Sequence, residues 1–324
     1  MDSHLCIRIQ PAIALLLICS SCGGKSPTST NHMRPTTFRP AYSNPLWSSD
    51  GTTLFFNHIP LDSVYEYPPG SGQILQAFNH DLEGFWSVDT SGQIMRRIYG
   101  QGLDSPVLSR DGTSVLYSAG GQIWRTAFAG DSLDPGSTTK MTNSTDGAFN
   151  PSLSWNGDRL LYDVGLGTNP GVYICSAAGG PARRVGDPGW YYPDWMPGDT
   201  AFAFVGYWPQ VTGIGAADTN GISRTLLRTE AIYPRASPDG LRIAFLSHPS
   251  LGGGNQLWVM NRDGSQAQQL TTEGSMAGFS WSPDGRQIAY VRFDAVDHSY
   301  VNGTIWIIDL ATLQKRQVTF NTPP

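Results

Sequence analysis

The stretch Ser280-Trp-Ser-Pro-Asp-Gly-Arg-Gln-Ile-Ala-Tyr-Val291 decides the fold. It reads as a short strand, a tight Asp-Gly turn and a second strand of mostly apolar residues. Pro283 presets φ for the turn, and Gly285 supplies the positive φ that a side chain resists. Related stretches recur at residues 44–56, 105–117, 150–162, 192–204 and 233–245, with turn glycines at Gly51, Gly112, Gly157, Gly198, Gly240 and Gly285. Successive glycines lie 61, 45, 41, 42 and 45 residues apart. A period of about 40–45 residues holding roughly four strands marks propeller blades. The expected fold is therefore all-β, a six-bladed β-propeller of four-stranded antiparallel blades.

The chain has 324 residues, a length that alone suggests about two domains, but every repeat would belong to one closed ring. Only 15% of residues are charged, against 37 Gly and 23 Pro, which is a turn-rich β composition. The net charge of −5 comes without a Lys/Arg run, so the concentrated positive charge that a nucleic-acid partner needs is missing. No cofactor is expected, and the ring is expected to be monomeric.

Residues 1–21 read as a targeting segment. Arg8 gives a thin positive region, and Pro11-Ala-Ile-Ala-Leu-Leu-Leu-Ile18 is an apolar core shorter than the roughly 20 residues that span a bilayer. The following Cys19-Ser-Ser-Cys22-Gly-Gly24 resembles a bacterial lipoprotein signal, with Cys22 as the lipidated residue. Several acyl chains on one cysteine would hold the protein stably at a membrane. The resemblance, with Gly23 rather than Asp after the cysteine, implies the periplasmic face of the outer membrane. Residues 22–41 are rich in Ser, Thr, Pro and Gly and read as a flexible tether. The propeller takes residues 42–324, with blades near 42–104, 105–148, 149–189, 190–231, 232–274 and 275–324. Loss of Cys6 and Cys19 with the signal and acylation of Cys22 would leave Cys175 alone, a small buried hydrophobe without a disulfide partner.

Each blade follows one plan, with tight Asp-Gly or Asn-Gly connections between strands. The runs Leu257-Trp-Val-Met260 and Ile305-Trp-Ile-Ile308 are apolar on both alternating faces, as a sheet sandwiched between two others requires. Trp86, Trp124, Tyr173, Trp258 and Trp306 share one place in the third strands, and Trp47, Trp195 and Trp281 one place in the first, with Trp155 two residues further on. These aromatics are expected to pack between blades. Trp190 and Trp208 fall outside the pattern.

Ser237-Pro-Asp-Gly240 and Ser282-Pro-Asp-Gly285, each followed by an Ile-Ala-Phe/Tyr strand and an aromatic strand, resemble the WD40-like PD40 blades of the TolB family. Decayed versions stand at Ser49-Asp-Gly51, Arg110-Asp-Gly112, Trp155-Asn-Gly157 and Met196-Pro-Gly198. The resemblance runs from about Tyr42 to the C-terminus and implies the fold. Only a tether stands here where TolB has an α/β domain, and the expected protein or peptide partner in the cell envelope rests on repeats without catalytic motifs together with the lipid signal.

The chain lacks a Gly-x-Ser-x-Gly, a His-Glu-x-x-His and a phosphate loop. The Asp of each Asp-Gly turn is expected to cap its own turn. Propeller topology puts the strand one–two and three–four turns on one face, and the strand two–three and inter-blade loops on the other. The irregular sequence all falls on that second face. Trp190, Tyr191 and Tyr192, with Tyr207 and Trp208, would converge there as an exposed aromatic patch that binds a partner. The bland alternative for Trp208 is that it fills the gap left by Gly215, which stands where other blades carry a third-strand aromatic. Asp194 and Arg235 occupy equivalent positions in adjacent blades and would pair near the channel. His58, His80, His248 and His298 sit in loops of blades one, five and six, with Asp81, Asp294 and Asp297 nearby. They are the candidates for a metal or acid–base site, and hence for a carbohydrate-active lyase or hydrolase as the alternative function.

Overall fold

A computed structural model describes residues 42–320, apart from 67–68, 71–73, 166, 209–210, 248–253 and 297–298. The expectation of a six-bladed, all-β propeller is borne out. Blade one pairs Tyr42–Trp47, Thr53–His58, Gly84–Asp89 and Met95–Tyr99 in sequence order. Blade two has Asp104–Leu108, Ser114–Ala119 and Gln122–Ala129, whose outer edge is covered by two short strands, Ser132–Leu133 and Thr139–Lys140. Blade three is Phe149–Leu153, Arg159–Val164, Gly171–Ser176 and Arg183–Val185. Blade four is Trp190–Trp195, Ala201–Trp208, Val211–Asp218 and Arg224–Thr229. Blade five is Ala231–Ala236, Arg242–Ser247, Gln256–Asn261 and Gln268–Gln269, and blade six is Ser275–Trp281, Gln287–Val296, Ser299–Asp309 and Lys315–Gln317. The extra length of blade one forms its own hairpin, Leu61–Glu66 with Ile74–Phe78, followed by a 3-10 turn at His80–Leu82.

The cross-strand register explains the aromatic pattern. Phe56 faces Trp86, Tyr117 faces Trp124, Tyr162 faces Tyr173, Phe245 faces Trp258 and Tyr290 faces Trp306. Each pair covers the same spot of its blade, and the next blade packs over it. In blade four Phe204 faces Gly215, where a Cβ would lie 2.7 Å from both the Phe204 and Trp208 rings. Trp208 therefore fills the space that a third-strand aromatic occupies elsewhere.

The turns follow the same economy. The turn serine hydroxyl donates to the turn carboxylate at 2.6 Å in Ser48–Asp50, Ser109–Asp111 and Ser282–Asp284. The same Asp oxygens accept the backbone N–H two residues on. These aspartates cap their own turns, and hydrogen bonds from the serines hold Asp50, Asp111 and Asp284 below the usual carboxylate range. Blade four departs by one residue. Asp199, with φ of +56°, takes the place of the turn glycine, and Gly198 precedes it. Its carboxylate reaches into blade three and accepts from the N–H groups of Trp155 and Asn156 at 2.7 and 2.9 Å. Trp155 itself lies in the turn beyond its first strand, donates to the Trp195 carbonyl at 3.1 Å and carries the Arg110 guanidinium 3.4 Å over its ring.

The ring closes between blades six and one by side-chain packing. Tyr42, Trp47, Leu54, Phe56 and Val88 of blade one form one buried cluster with Ala289, Val291, Phe293, Ile305, Ile307 and Val318 of blade six. The Tyr42 hydroxyl reaches the Phe320 carbonyl at 3.4 Å, and Arg316 donates to the Thr90 carbonyl. Among the described residues, each of these two blades is built from its own consecutive strands.

Candidate functional site

Every first strand contains a bulge, and its register slips at the same place in all six blades. The bulged residue is Asn44, Ser105, Asn150, Tyr192, Tyr233 or Gly278, and each has φ between 48° and 53°. Five of the six are not glycine, and those five precede proline. A left-handed residue of that kind costs of order 1–3 kcal/mol and persists only where its surroundings hold it. The cost recurs because a bulge turns the strand and re-aims its side chains.

First strands of neighbouring blades adjoin one another around the axis. Each begins on the loop face, so the six bulged residues lie on that side, at the channel mouth. Over blades two to five they form a hydrogen-bonded arc. Ser105 Oγ donates to Asn150 Oδ1 at 3.0 Å. Asn150 Nδ2 donates to both Asp163 oxygens at 3.2 and 2.9 Å. The Tyr192 N–H donates to Asp163 Oδ2 at 2.7 Å. The Tyr233 hydroxyl donates to that of Tyr192 at 3.3 Å, with ring centroids 4.3 Å apart. Asp163 thus holds the strained backbone of Tyr192 from the neighbouring blade.

Asp163 is only 2% exposed, and burial pushes its carboxyl up to about 7 against the pull of the Tyr192 and Asn150 donors; the charge of Asp104 adds to the rise. Asp104 is exposed as a residue, yet the surrounding protein raises its carboxyl too. An acid with a raised folded pKa binds its proton more tightly folded than unfolded, so its contribution is full below about pH 4 and lost as pH rises through 7. The unfolding free energy that Asp163 contributes is expected to fall across that window, and Asp163→Asn to remove this slope. Urea unfolding at steps from pH 4 to 8 checks it; a wild-type-minus-variant difference that stays constant with pH would contradict the assignment.

Deeper in the channel, Asp194 accepts from Arg235 at 3.3 Å, from the Ala236 N–H at 2.8 Å and from Ser152 Oγ at 3.3 Å. Burial raises Asp194 even so, with Arg235 as the main opposing influence. The Asp194–Arg235 pair joins blades four and five along the channel wall.

The aromatic patch divides. Trp190 is 4% exposed, its ring stacked on Phe204 at 3.8 Å and pressed over Gly186, so it is a core residue and not part of any exposed surface. Trp208 is half-buried against the same cluster. Tyr207 is 66% exposed and meets the half-buried Tyr191 edge-on at 6.1 Å. Burial, with Tyr207 next and then the charge of Asp163, raises the Tyr191 hydroxyl, and Tyr191 directly precedes the bulged Tyr192. What sequence reasoning passed over is the arc that joins Tyr192 to Asp163, Asp104, Asn150 and Tyr233. The signal available for it was the repeated X-Pro in first strands: Asn44-Pro, Ser105-Pro, Asn150-Pro, Tyr192-Pro and Tyr233-Pro.

The histidines do not share one environment. His58 ends a buried strand, stacked on Tyr42 at 4.1 Å and edge-on to Trp86 at 5.3 Å. His80 is exposed and pairs with Glu83 at 3.0 Å. His248, His298, Asp297 and Cys22 lie outside the described residues. Among the described residues, no three His, Cys, Asp or Glu are grouped to hold a metal. Cys175 is buried, and burial raises its thiol to about 11, which makes it a poor nucleophile.

No protein-family profile matches the chain. An uncharacterised protein of Agrobacterium fabrum is 29% identical over 205 residues, covering 59% of this chain and 66% of that protein. The Tol-Pal system protein TolB of Zymomonas mobilis is 38% identical over 68 residues, 21% of this chain and 14% of its own length. The chain therefore spans under two thirds of these relatives. Among solved structures, a putative TolB from Agrobacterium tumefaciens superposes with a TM-score of 0.61 at 24% identity, over 70% of this chain and 84% of that one. TolB from Acinetobacter baumannii gives 0.61 at 17% identity, over 82% and 63%. Oligogalacturonate lyase in complex with manganese gives 0.53 at 13% identity, over 86% and 77%, so enzymes share the architecture. The chain is TolB-like in fold, a six-bladed β-propeller of four-stranded antiparallel blades.

Proposed function

We propose that this protein is a non-enzymatic propeller of the bacterial cell envelope that holds a protein or peptide on its loop face. The observation that carries this reading is the tyrosine-lined mouth on that face, where Tyr207 is exposed beside Tyr191 and the Tyr192–Tyr233 pair. On the opposite face, the turn aspartates of blades one, two and six accept hydrogen bonds within their own turns. A surface with exposed aromatics over a rigid frame suits partner binding, because little conformational freedom is lost on association. Similarity to proteins named TolB supports an envelope location and a protein partner. The lipoprotein-like signal ending at Cys22 supports attachment to the periplasmic face of the outer membrane, with residues 22–41 as the tether.

Recovery of envelope proteins on wild type and on a Tyr191→Ala/Tyr207→Ala variant tests the face. The variant is expected to lose at least one partner that wild type retains, and an unchanged partner set would sink the assignment. The same preparations test the anchor, since labelled palmitate that still enters Cys22→Ser would remove it.

A further inference from the structure

We infer that the cleft between blades one and two, on the face opposite the loops, is a second binding site that receives one aromatic side chain of a partner peptide. It goes beyond the loop-face reading and does not depend on it.

The cleft exists because a contact made elsewhere in the ring is missing there. Six residues after the shared third-strand position, the turn into the fourth strand carries Gly92, Gly130, Gly179, Gly221, Gly264 or Thr312. In blades one, four and five this glycine presses onto the outer edge of the preceding blade. A Cβ at Gly92 would lie 2.5 Å from the Val318 carbonyl oxygen, one at Gly264 would lie 2.6 Å from that of Leu227, and one at Gly221 would overlap Gly186. Only a residue without a side chain fits so close to a neighbouring backbone. In blade two a Cβ at Gly130 would meet nothing within 4 Å. The turn stands off blade one and leaves a cleft of about 270 Å³.

The lining sets the chemistry of the occupant. Phe55, Ile98 and Phe128 line the space, and Ile94, 55% exposed, stands at its opening. Phe55 and Phe128 are half-buried, with centroids 5.3 Å apart and planes tilted by 47°, so an entering ring meets aromatic faces and edges from two blades. An apolar cavity of about 150 Å³ holds a benzene ring, so the cleft has room for one aromatic side chain. Arg96 and Asp131, paired at 2.8 Å and both exposed, flank it. An exposed pair of this kind holds weakly, which leaves a donor and an acceptor for the peptide groups beside the ring.

The matching gap between blades five and six is an internal comparison. Thr312 replaces the glycine there, and the space is about 190 Å³. Gln266 stands where blade one has Ile94, Gln268 where it has Arg96, and Leu310 where blade two has Phe128. The two clefts share a place in the fold, and of the two the first is lined by rings.

The test uses the full chain with labelled isoleucine and leucine methyl groups, and N-acetyl-phenylalaninamide as the probe. The Ile94 and Ile98 methyl signals are expected to shift with a midpoint on the order of 1 mM, the weak affinity of a single ring, while those of Leu270 and Leu310 stay in place. N-acetyl-alaninamide keeps the peptide groups, lacks the ring and should shift none of them. Ile94→Gln and Phe128→Leu install the residues of the matching cleft and should each weaken the probe by about threefold to tenfold, read at Ile98. Ile94→Gln alters an exposed residue and should keep the wild-type melting midpoint. The Tyr191→Ala/Tyr207→Ala variant should bind the probe as wild type does. Unmoved Ile94 and Ile98 signals, equal shifts with the alanine probe, or unchanged affinity in either substitution would overturn the inference. So would loss of binding in the tyrosine variant, which would put the probe on the loop face.

Discussion

Trp190→Ala is expected to lower the unfolding free energy by about 3–5 kcal/mol, whereas Tyr207→Ala stays within about 0.5 kcal/mol of wild type. Both residues belong to the irregular aromatic run of blade four, and both are large rings at the loop face. Their surroundings differ. Trp190 stacks on Phe204, meets Phe202 edge-on at 6.2 Å and covers Gly186, whose φ of +77° and missing side chain open the space the indole occupies. The surrounding cluster, with Val172, Val185 and Trp195, is too tightly interlocked to collapse into the void that alanine would leave. Tyr207 has most of its ring in water and little packing to lose. Urea titrations of the two variants measure the difference as a shift in midpoint at constant slope. A Trp190→Ala protein with the wild-type midpoint would mean that the indole is not part of the core.

The second large effect lies at the seam of the ring. Phe56→Ala is expected to cost about 3–5 kcal/mol, and so is Phe245→Ala, because both rings are fully buried at the same place in the second strand of their blades. What separates them is where the protein opens. Phe56 belongs to the cluster that joins blade one to blade six, the first and last blades of the chain. Around the rest of the ring, neighbouring blades are consecutive in the chain and tied by short connections. At the seam, side-chain packing and a few bonds such as Tyr42 to Phe320 hold the contact. Weakening it should allow blades one and six to open below the free energy of global unfolding. Amide exchange of Phe56→Ala is expected to accelerate in Thr53–His58 and Ser299–Asp309 ahead of the other blades. Phe245→Ala should instead speed exchange across the ring. Identical exchange patterns in the two variants would argue against a seam held mainly by side-chain packing.

Several features of the loop face were legible only in part. The exposed Tyr207 and the Asp194–Arg235 pair could be placed by counting strands, because strand direction assigns each residue to a face. Trp190 could not, since its burial depends on a glycine four residues earlier that leaves room under the ring. The gap at Gly215 was readable as a missing aromatic, and Trp208 does fill it. The turn-glycine position of blade four, read at Gly198, lies one residue further on at Asp199, a non-glycine residue that adopts the left-handed turn conformation while its carboxylate clamps the preceding blade.

The Ser-Pro-Asp-Gly repeat by itself determined the number of blades, the order of strands and the register of the aromatics. Those follow from chemistry within a dozen residues: a proline and a glycine set the turn, a serine and an aspartate cap it, and alternating apolar residues mark both covered faces. Tertiary structure alone decided the site. Ser105, Asn150, Asp163, Tyr192 and Tyr233 come from four blades, and the X-Pro step that marks four of them within their repeats does not show which of them meet or that Asp163 joins them. They converge because closing the ring brings the start of every first strand to one mouth. Burial in that mouth then turns an ordinary second-strand aspartate, Asp163, into the group that holds the arc together.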